Sequence, residues 1–375
     1  MRQIYLSSPC MCGREMDFVQ EAFDTNWVAP LGKNVNEFEN IMKEYAGVEA
    51  AVAMNAGTAA IHMALRAVGV GQGDVVLCQS MTFSASANPI VYQNGTPVFI
   101  DSEPDTWNMS PEALERALKK YPNAKAVVVV HLYGTPAKMD EIIALCKEYN
   151  VALIEDAAEG LGGEYKGKKL GSFGDYAIFS FNGNKIITSS GGGMLVGNDT
   201  EKLKTVLKWI TQSREPAPWY QHEELGYNYR MSNIVAGIGR GQMTVLDDHI
   251  EQKTNLYNKY LGEYADIPIT MQPYLDNTKP NHWLSAATID KGCDISPFAI
   301  MDRLKLENVE TRPIWKPMHM QPYYKDCDYF KYDENCESVC EDIFTRGICL
   351  PSDFYPNMTP EEHNEIIKII KGLFK

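Results

Sequence analysis

Phe179-Ser180-Phe181-Asn182-Gly183-Asn184-Lys185-Ile186-Ile187-Thr188-Ser189-Ser190-Gly191-Gly192-Gly193-Met194 is the stretch whose reading decides the fold. The β-branched and aromatic run from Tyr176 to Phe181 predicts a buried strand, and Met194-Leu195-Val196 predicts a second. Between them lie a polar turn, one lysine and three glycines, so the lysine is expected at a strand end between two core elements. Most lysines occupy solvated faces, and a loop tip is the ordinary place for one. Apolar walls at a strand end instead favour the neutral amine, the form that acts as a nucleophile and makes a Schiff base. The hydroxyls of Ser180, Ser189 and Ser190 and the bare backbone of Gly191–Gly193 are suited to hold an anion beside it.

This block resembles the lysine loop of the DegT/StrS-type nucleotide-sugar aminotransferases, pyridoxal phosphate (PLP) enzymes with a pattern of roughly F-S-F-x-x-x-K-x-x-T followed by glycines. The resemblance implies that Lys185 bonds the cofactor aldehyde. Many members carry Gly-Glu-Gly-Gly where this chain has Ser190-Gly191-Gly192-Gly193, which alters the turn and not the amine.

At 375 residues and 45% hydrophobic content, the chain is long enough for one large core and a smaller one. The first residues lack the apolar core of a secretory leader, and no apolar run approaches the ~20 residues of a membrane span. A soluble, cytoplasmic protein is therefore expected. A net charge of −14 without clustered Lys and Arg argues against nucleic acid as a partner, so an anionic ligand must be gripped by local donors. Nine scattered cysteines fit reduced thiols. Cys10-x-Cys12 and Cys336-x3-Cys340 lack the paired spacing of structural zinc, and no metal is expected.

Apolar segments Ala51–Met54, Asp74–Cys78, Pro97–Asp101, Ala126–His131 and Val151–Ile154 alternate with helical periodicity. That pattern predicts a largely parallel α/β sheet covered on both faces. The resemblance makes it the PLP-dependent aminotransferase fold type I, with a seven-stranded, mostly parallel sheet. It places the N-terminal arm and large cofactor domain in residues 1–246 and a smaller C-terminal α/β domain in 247–375.

The strand Ala51–Met54 runs through Asn55-Ala56-Gly57-Thr58 into a helix, so free N–H groups and the positive dipole end face whatever lies there. A threonine N-cap without a ligand explains the same residues. By resemblance, Gly57 and Thr58, with Ser180, hold the cofactor phosphate, and Phe83 stacks on the pyridine ring. Asp156 follows a parallel strand, where α/β sheets place ligands, and a surface cap is the plainer alternative; the family pairs this position with the pyridine nitrogen. Glu159 falls where the family often has Gln or His near the cofactor phenolate, so its carboxyl must be protonated, turned away or bridged by a donor.

Gly226-Tyr227-Asn228-Tyr229-Arg230 resembles the motif whose asparagine reaches across a homodimer to the neighbouring phosphate. Asn228 takes that role, with Arg230 a second contact, and the sites become composite. Trp27, in the turn Asn26–Gly32, borders the sugar site by resemblance. Arg312, Lys316 and His319 belong to a block that resembles the family's R-P-x-x-K-P-x-H; Arg312 and Lys316 meet a diphosphate or are plain surface charges.

The activity implied is ping-pong transamination from L-glutamate to a nucleotide-linked 4-keto sugar, with Lys185 moving the proton. Leu6-Ser7-Ser8-Pro9, Ala29-Pro30-Leu31-Gly32 and Asn182–Lys185 resemble enzymes that make UDP-4-amino-4,6-dideoxy-N-acetylglucosamine for bacillosamine-type glycans. Two alternatives share the fold. A PLP-dependent sugar dehydratase has histidine in place of the lysine, and a non-catalytic regulator would lose the lysine or the aspartate; this chain keeps both.

Overall fold

The strand Ala126–Val130 is buried at every position. The computed structural model, which describes residues 2–375 and leaves Met1 outside, shows what covers it. Val127 and Val129 pack in one cluster with the helices Pro111–Lys120 and Met139–Glu148. Ala126 and Val128 pack in another with the helix Gly57–Ala67. Side chains alternate between faces with a period of two, so a strand covered twice must be apolar throughout.

The large sheet runs in the order Ala50–Met54, Gly193–Gly197, Tyr176–Ser180, Ala152–Asp156, Ala126–Val130, Val75–Gln79, Thr96–Ile100, Tyr329–Phe330. Neighbours are parallel except around Gly193–Gly197, which pairs antiparallel on both sides. An eighth strand thus joins the seven expected. Tyr329–Phe330 adds to the edge beside Phe99–Ile100, and the Asp101 carboxylate secures it by accepting the N–H groups of Tyr332, Val339 and Cys340.

A four-stranded antiparallel sheet, Ile269–Met271, Ser285–Ile289, Gly347–Leu350 and Arg312–Pro313, forms the C-terminal body. Helices Leu246–Glu263, Pro297–Lys305 and Pro360–Gly372 pack with it. The long helix starts at Leu246, and two segments cross the division set between residues 246 and 247. Residues 329–330 return to the large sheet, and the N-terminal arm belongs with the C-terminal body. Ile4 is fully buried in that body's core, exchanging backbone hydrogen bonds with Asn308 and Glu310. Ser8 donates its N–H and its hydroxyl to the Asp353 carboxylate, each at 2.6 Å. Among the described residues no helix is long and apolar enough to cross a membrane.

The topology gathers chain ends at one edge of the large sheet. Asp156 and Ser180 end parallel strands, and Met54 leads into the helix at Gly57. Gly193 pairs with both Ser180 and Met54. A Cβ on Gly193 would lie 2.4 Å from the Ala56 carbonyl and 2.5 Å from the Gly57 nitrogen. Only glycine lets this strand start against the helix N-terminus.

Asp353→Ala should free the arm by removing both acceptors for Ser8, lowering stability in urea by about 1–3 kcal/mol. Limited proteolysis within residues 2–12 should quicken at the same time; an unchanged cleavage rate would mean that the other arm contacts, through Ile4, Leu6 and Ser7, suffice to hold it.

Candidate active site

Where these ends converge lies a cavity of about 400 Å³ lined from both bodies. Gly57, Thr58, Phe83, Asp156, Glu159, Ser180 and Lys185 line it, so the sheet edge brings seven of the expected residues together. Trp283 and Trp315 close it from the C-terminal side.

One end of the cavity is electropositive. The helix Gly57–Ala67 has Ala56 as its N-cap, in extended conformation and without a capping side chain. Intrahelical bonding begins with the Ala60 N–H, which reaches the Ala56 carbonyl, so helix geometry leaves the donors of Gly57, Thr58 and Ala59 without acceptors. A Cβ on Gly57 would come 3.1 Å from the Ser180 Cβ; its absence opens a cradle beside the Ser180 hydroxyl. Free N–H groups, a dipole end and a hydroxyl suit an anion. Ser189 does not share this role, because it is fully buried and donates to the Gly191 carbonyl at 2.7 Å. Ser190 lies outside the cavity lining.

Asp156 supplies negative charge elsewhere in the cavity. Its carboxyl is buried and accepts from the Ser86 hydroxyl at 2.6 Å and the Ala158 N–H at 3.2 Å. Burial pushes its pKa up, while these bonds and the nearby Lys185 charge oppose the rise. A buried carboxylate held in place this way suits a cationic ligand atom.

Lys185 does not sit at the strand end. It follows Ser180 by five positions, after a turn closed by its own N–H to the Asn182 carbonyl at 3.0 Å. Its surroundings are not simply apolar either. The amine lies 4.1 Å from the Trp283 ring centroid and 3.7 Å from the Glu159 carboxylate. The other Glu159 oxygen accepts the Tyr133 N–H at 2.6 Å, and Tyr133 has a left-handed φ of 55°. Burial pushes the Glu159 carboxyl up to about 7, with the Lys185 charge and the Tyr133 bond acting against it. Glu159 is therefore a bridged group facing the amine.

The remaining expected residues lie elsewhere. Arg230 lies outside the cavity lining, where it forms a two-pronged ion pair with Glu39 and donates to the Ala53 carbonyl at 3.1 Å. His319 lies outside it too. Its ring stacks on Tyr329 at 3.6 Å and bonds Ser80 at 2.7 Å and Glu341 at 3.0 Å, so it braces the edge strand. Asn228 and Trp27 are exposed and outside the cavity. Arg312 and Lys316 line a second cavity of about 610 Å³, which shares Asn184, Trp283 and Trp315 with the first; Arg312 also pairs with Glu310 at 2.5 Å.

Four contributors were missed in the sequence: Trp283, Trp315, Tyr133 and Ser86. Trp315 sits inside the quoted block 312–319, where an aromatic between two cations was the available signal. Ser86 meets Asp156 across 70 positions, and no local pattern encodes that.

An α/β sheet with a reactive amine, a buried carboxylate and an anion cradle at its carboxyl edge defines an enzyme site of the group-transfer kind. The chain belongs to the DegT/DnrJ/EryC1/StrS aminotransferase family, whose model matches residues 9–371. It is 51% identical over 378 residues to "Putative pyridoxal phosphate-dependent aminotransferase EpsN" of Bacillus subtilis (strain 168), covering 100% of this chain and 96% of that one. It is 36% identical over 362 residues to GDP-perosamine synthase of Escherichia coli O157:H7, covering 96% of each. A solved DegT DnrJ EryC1 StrS aminotransferase from Brucella abortus superposes with a TM-score of 0.88 at 26% identity, over 96% of this chain and 95% of that one. The fold is thus fold type I of the PLP-dependent aminotransferases.

Glu159 gives a pH signature. Its folded pKa of about 7 exceeds the ordinary glutamate value of 4.5, so the native chain holds a proton that the unfolded chain has released between those pH values. Stability from this group falls as pH rises through that window. Glu159→Gln cannot ionise, and in ligand-free protein its stability relative to wild type should improve by about 2–3 kcal/mol from pH 4.5 to pH 8. Urea unfolding at both pH values measures this; a pH-independent difference would place the Glu159 titration elsewhere.

Proposed function

We propose that the protein transfers an amino group from L-glutamate to the keto carbon of a nucleotide-linked 4-keto-6-deoxy sugar, giving a 4-amino sugar nucleotide and 2-oxoglutarate. The observation that carries this reading is one cavity holding the Lys185 amine, the buried Asp156 carboxylate and an uncapped helix N-terminus. Pyridoxal 5'-phosphate is the cofactor of this family, and the residues fit it. The Gly57 and Thr58 N–H groups and the Ser180 hydroxyl suit its phosphate, Asp156 its ring nitrogen, Phe83 its ring face and Lys185 its aldehyde. When bound, it supplies an electron sink for the carbanion left at the donor's Cα.

The chain's own groups do the rest. Asp156 keeps a proton on the ring nitrogen through opposite charge. Lys185 Nζ takes the Cα proton as general base and returns it as general acid. Glu159 lies against that amine and balances its charge when it is protonated. Trp283 and Trp315 shield the proton path from bulk water.

The second cavity, with Arg312 and Lys316, extends from the first past shared residues and suits the diphosphate of the nucleotide. Asn228, exposed outside its own cavity, serves the phosphate site of a neighbouring copy in a homodimer with composite sites. The segments Leu6–Pro9, Ala29–Gly32 and Asn182–Lys185 favour a UDP-linked 2-acetamido sugar. A dehydratase is the second reading, and the retained Lys185 weighs against it.

Purified protein loaded with PLP should be yellow and bleach on adding glutamate, and Lys185→Ala should lose both bleaching and turnover. Turnover assays with UDP-, GDP- and dTDP-linked 4-keto sugars identify the substrate; no amino sugar from any of them would sink the proposal. Replacing both Arg312 and Lys316 by Ala should raise KM for the nucleotide sugar by about 10-fold or more and leave kcat within about threefold. An unchanged KM would remove the second cavity from substrate binding.

A further inference from the structure

Trp283 arises from the C-terminal body, two residues before the strand Ser285–Ile289, yet its ring is buried in the cluster that surrounds the lysine loop. It is 2% exposed. The indole N–H donates to the carbonyl of Asn184 at 2.6 Å, the residue directly before Lys185. The face of the same ring lies 4.1 Å from the Lys185 amine. One side chain therefore fixes the backbone at the base of the lysine and supports the charged tip, and a π-face attracts an ammonium group most strongly where water is excluded.

The backbone of Trp283 is anchored just as firmly. Its N–H donates to the Asn281 side-chain oxygen at 2.8 Å, and the Asn281 amide nitrogen donates to the carbonyls of Glu159 at 2.6 Å and Leu161 at 2.8 Å. Its own carbonyl accepts from the buried Lys253 ammonium at 3.0 Å. Between Asn281 and Trp283, His282 has a left-handed φ of 48° and stacks on Tyr257 at 4.0 Å. A non-glycine residue in that region is strained and persists only where its surroundings hold it. The strain turns Asn281 toward the Glu159 loop and Trp283 toward the lysine loop, the two segments whose side chains must meet.

We propose that Trp283 is a positioning residue for the reaction, holding the Lys185 amine through its ring face and the Asn184 carbonyl through its indole N–H. This rests on the aminotransferase reading given above. Trp283→Phe keeps a ring face and deletes the donor; Trp283→Leu deletes both. Hydrogen exchange in cofactor-free protein should be about 10-fold faster or more over residues 182–190 in the Phe variant, with the strand 126–130 unchanged. In PLP-loaded protein, the maximal rate of bleaching by glutamate should fall about 10-fold in the Phe variant and about 100-fold in the Leu variant, with the half-saturating glutamate concentration within about threefold of wild type.

If the Leu variant fails to fold, the Phe variant decides alone. Exchange over 182–190 and bleaching rate both within about twofold of wild type in that variant would overturn the proposal. So would a loss expressed only in the glutamate concentration needed, or exchange that quickens equally in the strand 126–130, since either marks a role other than positioning. Wild-type protein that never bleaches would defeat the aminotransferase reading instead, leaving the exchange result to judge Trp283.

Discussion

An ammonium group drawn out of bulk water needs a replacement for its hydration, and the architecture around Lys185 follows from that requirement. A ring face and a carboxylate provide it. Neither is local to the lysine. Glu159 is aimed by the backbone N–H of Tyr133, a residue in the left-handed conformation. Next to it Gly134 must be bare, because a Cβ there would lie 1.7 Å from the Asn281 side-chain oxygen. Trp283 comes from the other body of the molecule. The amine is held by elements that meet only in the complete tertiary structure.

The cavity is also polarised. Unsatisfied N–H groups at the start of the helix Gly57–Ala67 make one part a donor site, and the buried Asp156 makes another an acceptor. Both features carry an energetic penalty in an empty protein: a helix end without a cap, and a carboxylate whose pKa burial has raised. A ligand with an anionic group at one end and a protonatable nitrogen at the other relieves both. The charge distribution of the cavity thus suits such a ligand before any shape is considered.

Much of this was legible in the chain. Central strands could be read because a sheet covered on both faces needs unbroken apolar runs, and the lysine loop because residues 179–194 concentrate its chemistry in one segment. The edge strand Tyr329–Phe330 could not, since two residues carry no periodicity. The docking of the arm on the C-terminal body could not be read either, because Ile4 sits in a short run without periodicity and its strand partner lies some 300 positions away. Arg230 and His319 were expected at the site because their motifs lie near it, but a motif does not say whether a side chain already bonds a neighbour such as Glu39 or Glu341. Trp283 was invisible for the converse reason: its importance comes from a backbone turn at His282 and contacts with loops about 100 residues distant.

The arm carries one more implication. Ser7 donates its hydroxyl to the Asn184 carbonyl and accepts from Lys253, while Ile4 and Ser8 dock on residues 308–310 and 353. Residues 4–8 therefore find their places among residues made some 300 positions later. During translation the segment beside the reactive lysine lacks this clasp until residue 353 has emerged.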